Sequence, residues 1–242
     1  MSVIEASEQV EHFRQFGIRA FTTTRQVGSF GLRGDEPSHT VMERWSQLRE
    51  ELRTGGPRLA TANQVHGDRV LVHHDCWTGW LRADDADGHA STSRGTALAV
   101  TVADCVPVFI AHPSGAISLL HSGWKGTAAR IVEHGIRALV DRGLPAHELH
   151  VHTGPSICGE CYEVSADVYE RLTGKNPGKA SPVDLRALIA DHARAVGVRN
   201  ISTSSSCTRH DNDRFYSHRA GDAGRQLGVM IADDPGFRLT TS

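Results

Sequence analysis

The chain has no strong charge of either sign. Among its 242 residues, 26 lysines and arginines nearly balance 28 aspartates and glutamates, leaving a net charge of −2. The two signs are interspersed, so the sequence lacks the basic patch that is typical of nucleic-acid-binding proteins. We therefore expect no nucleic-acid partner.

Long apolar runs are also missing. No segment approaches the roughly 20 apolar residues of a membrane-spanning helix. The N-terminal stretch "MSVIEASEQVEHFRQFGIRAF" has charges every few residues and no apolar core of a secretory signal. The cysteines number five, and an odd count argues against a disulfide framework. These absences predict a cytoplasmic protein with no membrane partner, and they leave the oligomeric state open.

Strand-like and helix-like segments alternate along the chain, which indicates an α/β fold in a single domain, residues 1–242. The spacing of apolar residues predicts one helix around Val41–Leu52 and another from about Thr127 to Gly143. The valine-rich stretch "TALAVTVADCVPVFIAH" is interpreted as a central strand, with a turn at Pro113–Gly115 leading to a partner strand. The polar stretch "WTGWLRADDADGHAST" is interpreted as a loop.

Three residues near strand ends have side chains that suit a metal: His66 in "NQVHG", Cys105 in "VADC" and His121 in "LLHSGW". Two imidazoles and a thiolate with a fourth position open describe a catalytic zinc site. They lie far apart in the chain, so their spacing alone does not separate this interpretation from a buried thiol and two histidines at strand ends.

Three further segments have residues that suit a ligand. Lys125 and Gly126 in "HSGWKGT" stand where a helix is expected to begin, a place that suits an anion such as phosphate. The stretch "RFYSHRAGDAGR" contains arginines that suit an anionic group or are simply solvated. Cys158 and Cys161 in "CGECYE" are either unpaired thiols, a redox pair, or half of a zinc site completed by "CTRH".

Taken in order, the motifs "NQVHGDRV", "ADGHAST", "VTVADCVPVFIA", "SLLHSGWKGTAARIV", "TGPSICGECYEV" and "FYSHRAGDAGR" carry a resemblance that runs through most of the chain. The sequence resembles the laccase-domain family, also called multicopper polyphenol oxidoreductases or purine nucleoside phosphorylases of the laccase-domain type. The resemblance implies a layered sandwich of helices around mixed β-sheets. It also implies that His66, Cys105 and His121 are metal ligands, with zinc as the metal and copper as a possible substitute.

The activity that the resemblance implies is phosphorolysis of adenosine, inosine, guanosine and methylthioadenosine, with adenosine deamination as a companion reaction. The partners would be a nucleoside and phosphate. Beside the three metal ligands, Asp104 is a candidate for relaying a proton or for orienting a ligand. The candidates for binding substrate or phosphate are Arg44, Gln64, Lys125, Gly126 and Arg219.

Some residues depart from the family pattern. Glu43 replaces an asparagine, Lys125 replaces an arginine, and His218 replaces the first of two arginines. A member that acts on another small molecule therefore stays open. A conventional multicopper oxidase needs paired histidine motifs, and "HVH" at 150–152 stands alone, but a copper-dependent polyphenol oxidase also stays open. So do a Cys-His hydrolase with Cys105 as nucleophile and a non-enzymatic binding protein.

Overall fold

Two six-stranded mixed sheets face each other at the centre of the computed structural model, which describes residues 2–32, 34 and 36–237. Strands are numbered in chain order. The first sheet has the spatial order β1 (Ser7–Gln9), β2 (Ile18–Thr23), β14 (Gln226–Ala232), β7 (Thr96–Val102), β3 (Arg58–Ala62) and β5 (Gly79–Ala83). The second has the order β13 (Asn200–Thr203), β10 (His150–Thr153), β8 (Val106–Ala111), β9 (Ile117–Ser122), β6 (Gly88–Ser91) and β4 (Val70–His73). A small third sheet pairs β11 (Glu163–Val164) with β12 (Ser181–Pro182).

Helices cover the outer faces of both sheets. On the first sheet lies α1 (Ser38–Leu52), whose buried residues include Val41, Trp45 and Leu48. On the second sheet lie α3 (Ile131–Val140), α4 (Ala166–Thr173) and α5 (Leu185–Ala195). A short helix, α2 (Trp124–Ala128), and 3-10 turns at Glu11–Phe16, Arg25–Val27 and Ala146–Glu148 complete the described elements. None of the described helices is both long and apolar enough to cross a membrane.

Packing on both faces explains the valine-rich strands. In β7, Leu98 and Val100 point between the sheets, where they meet Phe109 of β8, while Ala97 and Ala99 point towards α1. Because side chains alternate along a strand, a strand buried on both faces is apolar at nearly every position. The expected α/β layered sandwich in one domain is therefore confirmed.

Three sequence predictions of local structure hold and three are wrong. The helix at Val41–Leu52, the turn at Pro113–Gly115 and the strand after it are confirmed. The stretch around Asp104 is not one strand but two in different sheets, since Asp104 breaks it with a φ of 77°. The helix expected from Thr127 is likewise interrupted at Arg130, which has a φ of 58°.

The segment predicted as a loop contains β5 and β6. The polar residues of β5 suit the exposed edge of the first sheet. In β6, the small and polar residues of "GHAS" are fully buried between β4 and β9. Neither strand has an apolar alternation, so the pairing with neighbouring strands, rather than the local pattern, determines both.

Three consecutive links carry the chain from the first sheet to the second. They join β3 to β4, β5 to β6, and β7 to β8. The links contain His66, Asp87 and Cys105 respectively. The fold therefore gathers three chemically distinctive side chains at the seam between its two sheets.

Candidate metal centre and active site

His66, Cys105 and His121 come together at this seam. The three residues each direct one potential ligand atom to a common point, and these atoms lie within 4.8 Å of one another. His66 follows β3, Cys105 immediately precedes β8, and His121 lies in β9. The structure thus brings together the three residues that the sequence proposed as metal ligands, and the group could hold a metal ion.

The β8–β9 hairpin explains why Cys105 meets His121. Its register pairs Pro107 with His121 and Val106 with Ser122, which places Cys105 beside Gly123. A Cβ atom on Gly123 would lie only 2.8 Å from Cys105 Sγ and 3.4 Å from the His66 ring. Glycine at position 123 therefore leaves the space that the thiol and the imidazole occupy.

Asp87 fixes the two histidines; it lies in the motif "ADGHAST" but was not among the predicted site residues. Its fully buried carboxylate accepts backbone N–H bonds from Val65, His66 and Gly67 at 2.7–3.1 Å. These bonds hold the loop in which His66 adopts a φ of 60°, a conformation that non-glycine residues rarely take. The Oδ1 atom also lies 2.7 Å from His121 Nδ1, which leaves Nε2 of that ring for the centre.

Charge attraction within the centre favours an ionised thiol. Burial opposes ionisation of Cys105, but the neighbouring His121 and His66 outweigh it and lower the pKa of the thiol. Burial likewise opposes a charge on His121, yet Cys105 and Asp87 raise its pKa. A thiolate between two imidazoles is a donor set that suits zinc, because zinc takes nitrogen and sulfur ligands and leaves a position open in catalytic sites. The residues present therefore fit the metal.

Asp104, the residue before Cys105, is held in place by hydrogen bonds on the side away from the cavity. Its carboxylate accepts hydrogen bonds from Thr208 Oγ1 at 2.6 Å and from the backbone N–H of Arg219 at 2.7 Å. Asp104 is buried, and it is absent from the lining of the cavity described next. These contacts suit a residue that orients the adjacent Cys105 better than one that relays a proton.

A cavity of about 430 Å³ opens over the centre. His66, Cys105 and His121 form part of its lining. Phe30, Leu32, Trp45, Ala62 and Ala99 provide apolar surface, and the polar surface includes Asn63, Gln64, Arg82, His218 and Arg225. The cavity is large enough for a small heterocyclic molecule, and arginines at its rim favour an anion.

Only Gln64 of the five predicted substrate residues lines this cavity. Its amide is already paired with β7, because Oε1 accepts from the backbone N–H and hydroxyl of Thr101 and Nε2 donates to the Thr101 carbonyl, all at 2.8 Å. Gln64 therefore anchors the loop that carries His66.

The other four predicted residues lie outside the cavity lining. Arg44 pairs with Glu36 and donates to the Ser29 carbonyl. Arg219 donates to the Glu163 carbonyl and lies over the Tyr162 ring.

Lys125 and Gly126 belong to the short α2. Lys125 is exposed, with Nζ over the ring of Trp124 at 5.7 Å. Gly126 packs against the Gly67 carbonyl, which a Cβ atom would approach to 3.0 Å. The glycine thus lets the His66 loop approach, and the predicted phosphate site at this helix start is not at the cavity.

The basic side chains at the cavity are those of Arg82, Arg225 and His218. Arg225 belongs to the C-terminal motif that the sequence singled out for anion binding, and His218 is the departure from its double arginine. Arg82 lies in β5, the strand that the polar sequence predicted to be a loop, so its position over the cavity had no signal in the sequence.

The sequence of this chain is similar to one protein family and to purine nucleoside phosphorylases of bacteria. A family model described as multi-copper polyphenol oxidoreductase laccase matches residues 19–233. A purine nucleoside phosphorylase of Streptomyces griseus is 32% identical over 211 residues, covering 84% of this chain and 85% of the relative. A purine nucleoside phosphorylase of Mycobacterium bovis is 33% identical over 232 residues, covering 88% and 91%.

Solved structures share the fold. The hypothetical protein YfiH of Bacillus licheniformis superimposes with a TM-score of 0.83 at 23% identity, covering 93% of this chain and 96% of that one. The protein YlmD of Geobacillus stearothermophilus gives a TM-score of 0.81 at 25% identity, with coverages of 91% and 94%.

Proposed function

Because this chain belongs to the multi-copper polyphenol oxidoreductase laccase family, we propose that it is a purine nucleoside phosphorylase. Its substrates would be adenosine, inosine, guanosine and methylthioadenosine, and its products the free base and the ribose 1-phosphate. The observation that carries the proposal is the convergence of His66, Cys105 and His121 beneath a cavity with apolar surface and a cationic rim.

His66, Cys105 and His121 would hold the metal, with zinc favoured by the donor set and copper as a possible substitute. When bound, the metal supplies Lewis acidity to a substrate oxygen or nitrogen. The chain itself orients the donors. Asp87 holds His121 and the His66 backbone, while Asp104 holds the segment that carries Cys105.

Phosphorolysis replaces one bond at the ribose C1′ with another. A phosphate oxygen forms a bond to C1′ as the bond from C1′ to the purine nitrogen breaks, and the base leaves with the electron pair and gains a proton. Arg82 and Arg225 are our candidates for holding the phosphate, since fixed cations keep the anion in line with the ribose, and the imidazole of His218 offers a further hydrogen bond beside them. Phe30 and Leu32 offer apolar surface for the base.

Adenosine deamination is a second candidate reaction at the same centre. It requires a metal site that keeps an open position, and the Cys105 and His121 donors face the cavity rather than the core. Release of ammonia and inosine from adenosine without phosphate would distinguish it from phosphorolysis.

The test is an assay of the four nucleosides with and without phosphate, on protein of measured metal content. We expect phosphate-dependent release of free base, and its loss in His66→Ala. Cys76→Ser is the matched control, because Cys76 is exposed and lies outside the centre. A zinc-loaded protein that releases no base would refute the substrate assignment and favour a member acting on another small molecule.

The same samples separate the polyphenol oxidase from the hydrolase. Oxygen consumption with a phenol that rises in proportion to bound copper would support the polyphenol oxidase. Hydrolytic turnover that increases when the metal is removed would support a Cys105 nucleophile.

A further inference from the structure

A second group of potential ligands lies outside the first centre. Cys158, Cys161, Cys207 and His210 each direct one ligand atom to a common point, and these atoms lie within 4.8 Å of one another. We propose that these four residues form a structural zinc site. Its role is to hold the segment after β10 against the segment after β13. It thereby stabilises the position of Asp104, which both segments contact and which precedes Cys105.

The donor set is that of a closed zinc site, with three thiolates and one imidazole and no place for a substrate. Cys161 Sγ lies 3.1 Å from His210 Nε2, and Cys158 Sγ lies 3.9 Å from His210 Nδ1. Two sulfur ligands at the usual zinc–sulfur distance stand about 3.8 Å apart at the corners of a tetrahedron, and a sulfur and a ring nitrogen stand slightly closer. A zinc ion would bind one ring nitrogen of His210, and four ligand atoms within 4.8 Å of one another need only small side-chain shifts to reach the corners of such a tetrahedron.

Two tight turns present the donors. The backbone N–H of Cys161 donates to the Cys158 carbonyl at 3.1 Å, which closes the first turn. In the second turn, Asp211 Oδ2 accepts from the Cys207 backbone N–H at 3.0 Å, and the Asp211 N–H donates back to the Cys207 carbonyl at 2.8 Å. The Cys158 backbone N–H also donates to Cys207 Sγ at 3.3 Å, which ties the two turns together.

A redox pair of Cys158 and Cys161 fits these contacts less well. Reactive C-x-x-C pairs owe their reactivity to an electropositive setting such as a helix N-terminus. Here Cys161 is followed by β11, and α4 begins only at Ala166. A redox pair also has no use for a third thiol and an imidazole, and a four-ligand site uses both.

The group connects directly to the first centre through Asp104. The Ile157 backbone N–H donates to the Asp104 carbonyl at 3.1 Å, and Thr208 Oγ1 donates to its carboxylate at 2.6 Å. Ile157 precedes Cys158, and Thr208 follows Cys207. A zinc ion that joins the two turns therefore also fixes both segments that hold Asp104, the neighbour of Cys105.

Metal content tests the proposal without any activity assay. Protein purified without added metal should contain about two zinc ions per chain when both centres are filled. Cys105→Ser should lose one equivalent, and His210→Ala should lose the other. Cys76→Ser should lose none, since Cys76 is exposed and outside both groups. Wild-type and His210→Ala proteins with equal zinc content would overturn the proposal.

The same design keeps the two centres distinguishable. If the first centre binds no metal, Cys105→Ser and wild type should each retain one zinc that His210→Ala lacks. Should His210→Ala fail to fold, cobalt(II) can replace zinc in Cys105→Ser, where one equivalent should give strong sulfur-to-metal absorption. No such absorption, or two missing free thiols in the unreduced, denatured wild type, would overturn the proposal.

Discussion

Asp87→Asn is the substitution that most directly tests how the first centre is built. The change keeps the size of the side chain but replaces one carboxylate oxygen with an NH₂ group. Oδ1 accepts from His66 N–H and lies against His121 Nδ1, and Oδ2 accepts from Val65 and Gly67 N–H. In either orientation of the amide, its NH₂ group would face two N–H donors that the carboxylate oxygen of Asp87 now accepts from.

The expected cost follows from these contacts. A hydrogen bond to a charged acceptor contributes about 1.5–3 kcal/mol, and breaking a buried charged pair costs about 3–5 kcal/mol. Because Asp87 is fully buried and two bonds are lost, we expect Asp87→Asn to lower the free energy of unfolding by about 3–5 kcal/mol. Loss of the partner that orients a metal-bound histidine should also weaken metal affinity by about 10–100-fold.

The assay pairs denaturant unfolding of the metal-free proteins with zinc competition against a chromophoric chelator. Burial opposes ionisation of Asp87, but its bonds from His121 and the backbone N–H groups lower its pKa. The wild-type advantage should thus be present above about pH 4 and be lost as the pH falls through the folded pKa. Asp84→Asn, at an exposed position nearby, is the control. If Asp87→Asn matches this control in stability and zinc affinity, our account of the centre is wrong.

Three further predictions concern the thiol and the rim. Gly123→Ala places a methyl group 2.8 Å from Cys105 Sγ. We therefore expect the zinc content of the first centre to fall well below one equivalent, while the circular dichroism spectrum stays unchanged. Full zinc occupancy would contradict the steric argument. In metal-free protein, burial opposes ionisation of Cys105, but His121 and His66 outweigh it and lower the pKa of the thiol to about 6, whereas an ordinary thiol has a pKa of about 8.5. Iodoacetamide should therefore label Cys105 at pH 7 and zinc should block it, and a labelling midpoint near that of an ordinary thiol would refute this. Arg82→Gln should raise KM for phosphate several-fold and change KM for the nucleoside less, and Arg82→Lys should restore most of the phosphate KM. Equal changes in the two KM values would show that Arg82 does not bind phosphate.

Residue type made His66, Cys105 and His121 candidate ligands, but the resemblance to the laccase-domain family was needed to favour a metal over a buried thiol and two histidines at strand ends. A thiol at Cys105 and imidazoles at His66 and His121 are recognisable wherever they lie. The role of Asp87 depends on which backbone N–H groups surround it, and those come from a different link between the sheets. A carboxylate in a polar stretch gives no local sign of that environment.

The residues that we propose for phosphate binding were harder to predict for a related reason. Lys125 and Gly126 stand at a helix start, but α2 is only five residues long and its lysine is exposed. Arg82 faces the cavity because β5 pairs with β3 in parallel, with Arg82 opposite Thr61. The sequences of β3 and β5 do not predict this pairing. The position of Arg82 at the cavity can therefore be recognised only once the strands are assembled in the sheet.

The position of the first centre at the seam has a consequence for the order of folding. The β8–β9 hairpin closes locally and can bring Cys105 near His121 early, since short loops close quickly. His66 lies far earlier in the chain and joins them through Asp87, whose carboxylate holds both the His66 loop and His121. These long-range contacts form more slowly than a local hairpin, so we expect full metal affinity to develop late in folding. Zinc uptake during refolding would then report when these contacts form, and the rate of zinc loss from the native protein would report how often they open.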